Sequence, residues 1–135
     1  MLKENYTIKY REAYKYKKSI GISIILTFLT LGIYNLFWQY HQIETINFFL
    51  EKKVLSFWRW FFLTIITFGL YHIYHEYLVG KYIVEIQYKI DKPAPSTTLP
   101  VVALILSIIG LALITDAIEQ KELNEIIDYV SSKRL

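Results

Sequence analysis

Leu26-Thr27-Phe28-Leu29-Thr30-Leu31-Gly32-Ile33-Tyr34 and Leu63-Thr64-Ile65-Ile66-Thr67-Phe68-Gly69-Leu70-Tyr71 are one phrase written twice, 37 residues apart. Thr, Gly and Tyr recur at matching places, and Tyr40 pairs with Tyr77 further on. Both copies run through aromatic residues into a charged amphipathic stretch. The first two apolar blocks therefore read as duplicates of one unit.

Each copy lies in a long uncharged run. The first extends from Ser19 to Ile43, between Lys18 and Glu44. The second extends from Trp60 to His75, and Phe57 and Trp58 join it if Arg59 snorkels to the interface. A third runs from Leu99 to Thr115 and ends at Asp116; Pro100 suits the first turn of its helix. About 20 residues of helix cross the hydrocarbon core of a bilayer, so membrane spans are expected at about 19–40, 57–75 and 99–115. The blocks are apolar on all faces rather than along one stripe. The expected fold is all-α, an integral membrane helical bundle with three apolar spans and amphipathic interfacial helices, in a single domain over residues 1–135.

Composition agrees, with 54% hydrophobic and 17% aromatic residues. No cysteine is present, which excludes disulfides, thiolate metal sites and thiol nucleophiles. Six of the fifteen basic residues precede the first block. That block is too long for a signal-peptide core, and Tyr34, Phe37 and Trp38 follow it where a small-residue cleavage site would stand.

In a helix, Ser23, Thr27, Thr30 and Tyr34 share one face, as do Trp60, Thr64, Thr67 and Tyr71. The first two spans are expected to pack through these matched stripes. The alternatives are hydroxyls bonded back to their own helix and a polar channel lining. Gly32 and Gly69 mark either a close helix approach or a bend. Ala103, Ser107 and Gly110 offer the third span a small-residue face.

Aromatics collect at the block ends as interfacial belts do. The lipid-interface set is Tyr6, Tyr10, Tyr14, Lys15, Lys17, Lys18, Trp38, Trp58 and Trp60, with residues 1–18 lying on the membrane surface. Basic residues interleaved with aromatics also bind nucleic acid; beside a span the bilayer is the expected partner, and no nucleic acid is. Further amphipathic stripes are Ile43, Ile46, Leu50 and Val54; Val79, Ile83, Ile86 and Ile90; and Leu123, Ile126, Ile127 and Val130. Glu119, Glu122, Glu125 and Asp128 stand opposite the last, on a C-terminal helix over 116–135.

His72, His75 and Glu76 are the candidate metal ligands, with His41 as a possible contributor from the first copy. The two histidines are three apart and could reach one ion. A hydrolase would need a third placed ligand and a general base, and neither is evident. Metal binding and catalysis are therefore not expected, and no cofactor is implied. Asp116, Gln120 and Asn124 form a polar row beyond the third block, read as a solvated face in preference to a pocket lining.

The pattern Thr-x-Gly-[Ile/Leu]-Tyr ahead of Phe37-Trp38, with Leu106-Ser107-Ile108-Ile109-Gly110 leading into Gln120 and Leu123-Asn124, resembles domain of unknown function 4234, over about residues 18–130. The second copy departs by carrying His75 where the first has Trp38. The resemblance implies a small multi-span bacterial envelope protein and implies no activity.

With three crossings, nine Lys/Arg lie on the N-terminal side against six opposite. The positive-inside rule then places the N-terminus in the cytoplasm, in the bacterial inner membrane. The spans hold no ionisable residue away from their edges, which disfavours transport. The expected function is that of a non-catalytic membrane protein acting by lateral helix association, as a scaffold or accessory subunit, with copies of itself or a membrane-protein partner. A small oligomeric pore or transporter, holin-like lesions included, is the alternative. A membrane enzyme with a histidine metal site is the third reading.

Overall fold

The computed structural model describes residues 12–132. A 3-10 turn, Ala13–Tyr16, precedes six helices: α1 (Ile20–Leu29), α2 (Ile33–Leu50), α3 (Phe57–Ile66), α4 (Leu70–Lys89), α5 (Leu99–Ile108) and α6 (Ala112–Ser132). No strand occurs among the described residues. Short and long helices alternate, with 10, 18, 10, 20, 10 and 21 residues.

The three expected spans, 19–40, 57–75 and 99–115, are each cut after a ten-residue helix. The cut is a Schellman-type turn, in which a left-handed residue lets an N–H reach back to an orphan carbonyl. Gly32 N–H donates to the Thr27 carbonyl at 2.8 Å, and Gly69 N–H to that of Thr64 at 2.8 Å. Leu31 and Phe68 hold φ of 54°, and the glycines after them φ of 92°. In the third copy Leu111 N–H closes onto Leu106 at 2.8 Å, and Gly110 takes the left-handed place at φ 86°. Ten residues of helix are about 15 Å long, half the roughly 30 Å of a hydrocarbon core. Among the described residues, no helix is long and apolar enough to cross a membrane.

The repeated Thr is part of the same turn. Thr30 Oγ1 donates to the Leu26 carbonyl at 2.7 Å and accepts the Tyr34 N–H at 2.8 Å. Thr67 repeats this with Leu63 at 2.7 Å and Tyr71 at 2.9 Å. Thr27 Oγ1 likewise donates to the Ser23 carbonyl at 2.8 Å. These three hydroxyls are bonded within their own turns, while Thr64 Oγ1 is buried without a partner. A Cβ added at Gly32, Gly69 or Gly110 would meet nothing within 4 Å. The glycines assigned to helix packing therefore serve the turn, because positive φ and not close approach is what they supply.

A side chain in the C-terminal half of each long helix pins the chain just ahead of a short helix. The Asn47 side chain on α2 accepts N–H groups from Val54 at 3.0 Å and Leu55 at 3.1 Å, and donates to the Leu55 carbonyl at 2.9 Å. Asn124 on α6 grips Lys18 the same way, accepting its N–H at 3.1 Å and donating to its carbonyl at 2.7 Å. On α4, Gln87 accepts the Ser96 N–H at 2.7 Å. Ser19 and Ser56 then cap α1 and α3 through N–H groups of Ile22 and Arg59. So α3 touches both α2 and α4, α5 both α4 and α6, and α1 both α6 and α2, each short helix lying between two long ones.

The core is made by the long helices. Ile46 and Phe49 of α2, Ile83 and Ile86 of α4, and Leu123 and Ile126 of α6 are fully buried in matching register. The expected stripes on these helices thus face one another. Two interface assignments are corrected here. Trp38 is fully buried, its indole N–H donating to Gln120 at 2.9 Å, and Trp60 is buried against His72 and His75. Both rings find polar partners in the bundle, where an indole N–H is satisfied without lipid. Trp58 and Tyr14 are exposed. Tyr6 and Tyr10 lie outside the described residues.

Candidate functional site

The repeat places equivalent residues from three helices on one axis. In matching register stand Gln39, Glu76 and Asp116, then Gln42, Val79 and Glu119, then Ile43, Gly80 and Gln120, all buried. These positions fall three and four apart, so each helix presents them on one face. The upper core, next to the turns, is therefore polar, and the lower core is apolar.

At its centre, Glu76, Asp116 and Glu119 each offer a carboxylate oxygen, and these oxygens lie within 4.8 Å of one another. Asp116 is well supplied with donors: Gln39 Nε2 reaches Oδ1 at 2.7 Å and Asn35 Nδ2 reaches Oδ2 at 2.9 Å. Gln42 Nε2 donates to the Asp116 carbonyl at 3.1 Å. Glu76 lies within hydrogen-bonding reach of both Glu119 and Asp116, and apart from the neighbouring carboxyls only His72 approaches the four buried oxygens of Glu76 and Glu119. Gln39 Oε1 and Gln42 Oε1 are buried without a partner. The carboxyl pairs can be joined only through a shared proton or a cation, and the two amide oxygens have no donor.

His72 borders the cluster, with Nε2 at 3.3 Å from Glu76 Oε1. Its Nδ1 accepts the Trp60 indole N–H at 3.0 Å. A ring nitrogen that accepts carries no proton, so His72 is neutral with its one N–H on Nε2, toward Glu76. Burial pushes its pKa down, which agrees. Burial also pushes the His75 imidazole down to about 3, with His72 adding to the effect. The carboxyls move the other way. Burial, and then the Asp116 and Glu119 charges, hold Glu76 well above the usual range; burial does the same for Glu119. Asp116 is raised by burial and eased back by Asn35, His72 and Gln39. Three carboxylates cannot all be ionised in so dry a place without a compensating positive charge.

Of the metal candidates named from sequence, Glu76 belongs to this cluster and His72 touches it. His75 packs on Trp60 with Nε2 unpartnered. His41 lies elsewhere, its Nε2 at 2.8 Å from the Tyr16 carbonyl. The row Asp116, Gln120, Asn124 is not a solvated face: Asp116 and Gln120 are buried, and Asn124 grips Lys18. Glu119, assigned to the outer face of the last helix, is fully buried in the cluster. The repeat carried a signal for it, since Glu119 shares the register of Gln42, but the third copy diverges too far for its register to be read before the fold is known.

Ser107 of the small-residue stripe is buried with its hydroxyl unpartnered, and Ala103 beside it is buried as well. At Gly80 two helices approach closely: an added Cβ would lie 2.9 Å from Pro100 Cα.

No curated protein and no solved structure matches the chain. The family model for the domain of unknown function DUF4234 matches residues 18–56 and 55–119. The first match covers α1 and α2, and the second runs from α3 into the first turns of α6. The chain belongs to the DUF4234 family.

Proposed function

We propose that this chain is a non-catalytic protein of the bacterial inner membrane, which seats the turn end of its bundle in one leaflet without crossing and acts there by lateral association. The observation that carries the reading is the apolar exposure at that end. Leu31 is 94% exposed and Phe68 98%, at the apex of the first two turns. Phe28, Leu29, Ile33, Ile66, Leu70 and Ile109 surround them, all largely exposed. Each such side chain gains about 1.5–3 kcal/mol on leaving water, and patches of this kind mark partner or membrane surfaces. Depth supports lipid as the partner, since helices of about 15 Å match a single leaflet. Charge supports it too. Lys15, Lys17 and Lys18 precede α1, and Trp58 and Arg59 open α3, at the level where headgroups would lie.

The absence of cysteine makes a direct test simple. Dye-labelled Phe68→Cys and Glu125→Cys variants are mixed with vesicles of phosphatidylethanolamine and phosphatidylglycerol. The dye at 68 is expected to shift blue and be quenched by bromines partway down the acyl chains, while the dye at 125 stays in water. Protein left unbound by flotation would overturn the reading. Dye leakage from the vesicles at low protein density would replace it with the pore.

A further inference from the structure

We propose that Glu76, Asp116 and Glu119, together with the side-chain oxygens of Gln39 and Gln42, hold one divalent cation on the axis of the three long helices. The carboxylate oxygens, within 4.8 Å of one another, are close enough for a single ion to touch all three residues. A cluster of acids can instead neutralise itself with shared protons, so the neutral oxygens decide the matter. Gln39 gives its amide N–H to Asp116 Oδ1 at 2.7 Å, and the oxygen of that amide sits about 2.3 Å from the nitrogen. Gln39 Oε1 is thus within about 5 Å of the Asp116 carboxylate, fully buried, and without a donor. Gln42, from the next turn, places its amide nitrogen on the Asp116 backbone carbonyl instead of the carboxylate, and its oxygen is also buried and unpartnered.

Protons shared between Glu76 and Glu119 would leave these amide oxygens orphaned, each at a cost of about 1–3 kcal/mol. A cation held by the three carboxylates offers these oxygens a partner that protons shared between the carboxyls do not. Three carboxylates and two amide oxygens supply five to eight oxygen ligands, the number and type that Mg²⁺, Mn²⁺ and Ca²⁺ take. No Lys or Arg among the described residues pairs with the cluster, and His72 is neutral, so no protein cation competes for the place. The N–H that His72 turns toward Glu76 would orient that carboxylate as an outer partner. The site also follows from the repeat. Gln39, Glu76 and Asp116 are equivalent residues of three hairpins, and only a folded bundle brings them together.

The inference stands apart from the membrane reading, because it concerns the core and is measured in detergent solution. Chelator-treated protein is titrated with Mn²⁺, and free ion is followed by electron paramagnetic resonance; Mg²⁺ and Ca²⁺ are then tested as competitors. One tight site per chain is expected. Glu76→Gln with Glu119→Gln removes two charges while keeping shape, and should weaken Mn²⁺ binding about 100-fold or more. Glu122→Gln with Glu125→Gln should leave it unchanged. Circular dichroism establishes that both variants keep their helices. Gln39→Leu, which keeps the carboxylates, should weaken binding about tenfold and guards against misfolding of the double variant. The proposal is overturned if none of the three ions binds the wild type below millimolar concentration. It is overturned equally if the core variants bind Mn²⁺ as well as the wild type does.

Discussion

Thr30 and Thr67 show how one side chain ends a helix that hydropathy would continue. Each hydroxyl donates one hydrogen bond and accepts another across the turn. A Thr30→Val variant keeps the shape and loses both, and should lower stability by about 1–2 kcal/mol in chemical denaturation followed by circular dichroism. The motif was visible in the sequence, yet its spacing fits a helix face as well as a turn, and the carbonyl partner is what distinguishes them. Glu119 is the harder case. A glutamate beside Glu122 and Glu125 reads as a solvated face, and only the partners on α2 and α4 place it inside. Its burial has a consequence for pH. Glu76 and Glu119 have raised pKa values in the fold, so the unfolded chain gives up these protons first. Their destabilising effect is absent below about pH 4, where both states are protonated, and grows as pH rises toward the folded values. With chelator present, the melting temperature of detergent-solubilised protein should fall between pH 5 and 8. In the Glu76→Gln, Glu119→Gln double variant it should stay nearly flat.

At the scale of the element, each hairpin is a short apolar helix, a turn and a long helix, and the pinning residues set its place. Asn47 and Asn124 occupy equivalent positions and hold the chain ahead of α3 and α1. In the second copy that position is Val84, and Gln87 does the work on Ser96 instead. Asn47→Ala should therefore cost about 1–3 kcal/mol, as the backbone N–H and carbonyl of buried Leu55 lose their partner, and should loosen the start of α3 in hydrogen exchange. Gly80 admits Pro100 so closely that Gly80→Ala must push backbone apart. The expected loss is about 1–3 kcal/mol, read in the same denaturation assay. Helix content, the duplication and the stripe residues Ile46, Ile83, Ile86, Leu123 and Ile126 were all legible, because periodicity records which face is apolar; the α2 stripe took Leu50 and missed Phe49, which is fully buried. The breaks were not. Their backbone groups are satisfied by reach-back bonds and Thr hydroxyls, so the turn needs no polar residue to mark it, and the uncharged run passes through without a gap.

Over the whole molecule, each of the three hairpin turns carries exposed apolar side chains, Leu31, Phe68 and Ile109 among them. Leu31→Asp with Phe68→Asp should reduce vesicle partitioning about 100-fold or more, with helicity unchanged, in a flotation assay. Substituting Trp58 alone should have a smaller effect, since it lies at the far end of α3 from the apex. The sequence alone determined that the chain is all-helical, that its first blocks are copies, and which residues form the lower core. These are local properties, written in periods of three and four and in the repeat of one phrase. Tertiary structure decided that an apolar block long enough to cross a membrane is instead two helices, because the turn's reach-back bonds come from the chain's own backbone. It also decided that edge residues of three separate blocks, Gln39, Glu76 and Asp116 with Glu119, are neighbours at one point. Convergence of that kind depends on how the hairpins pack around an axis, and no single helix carries the information.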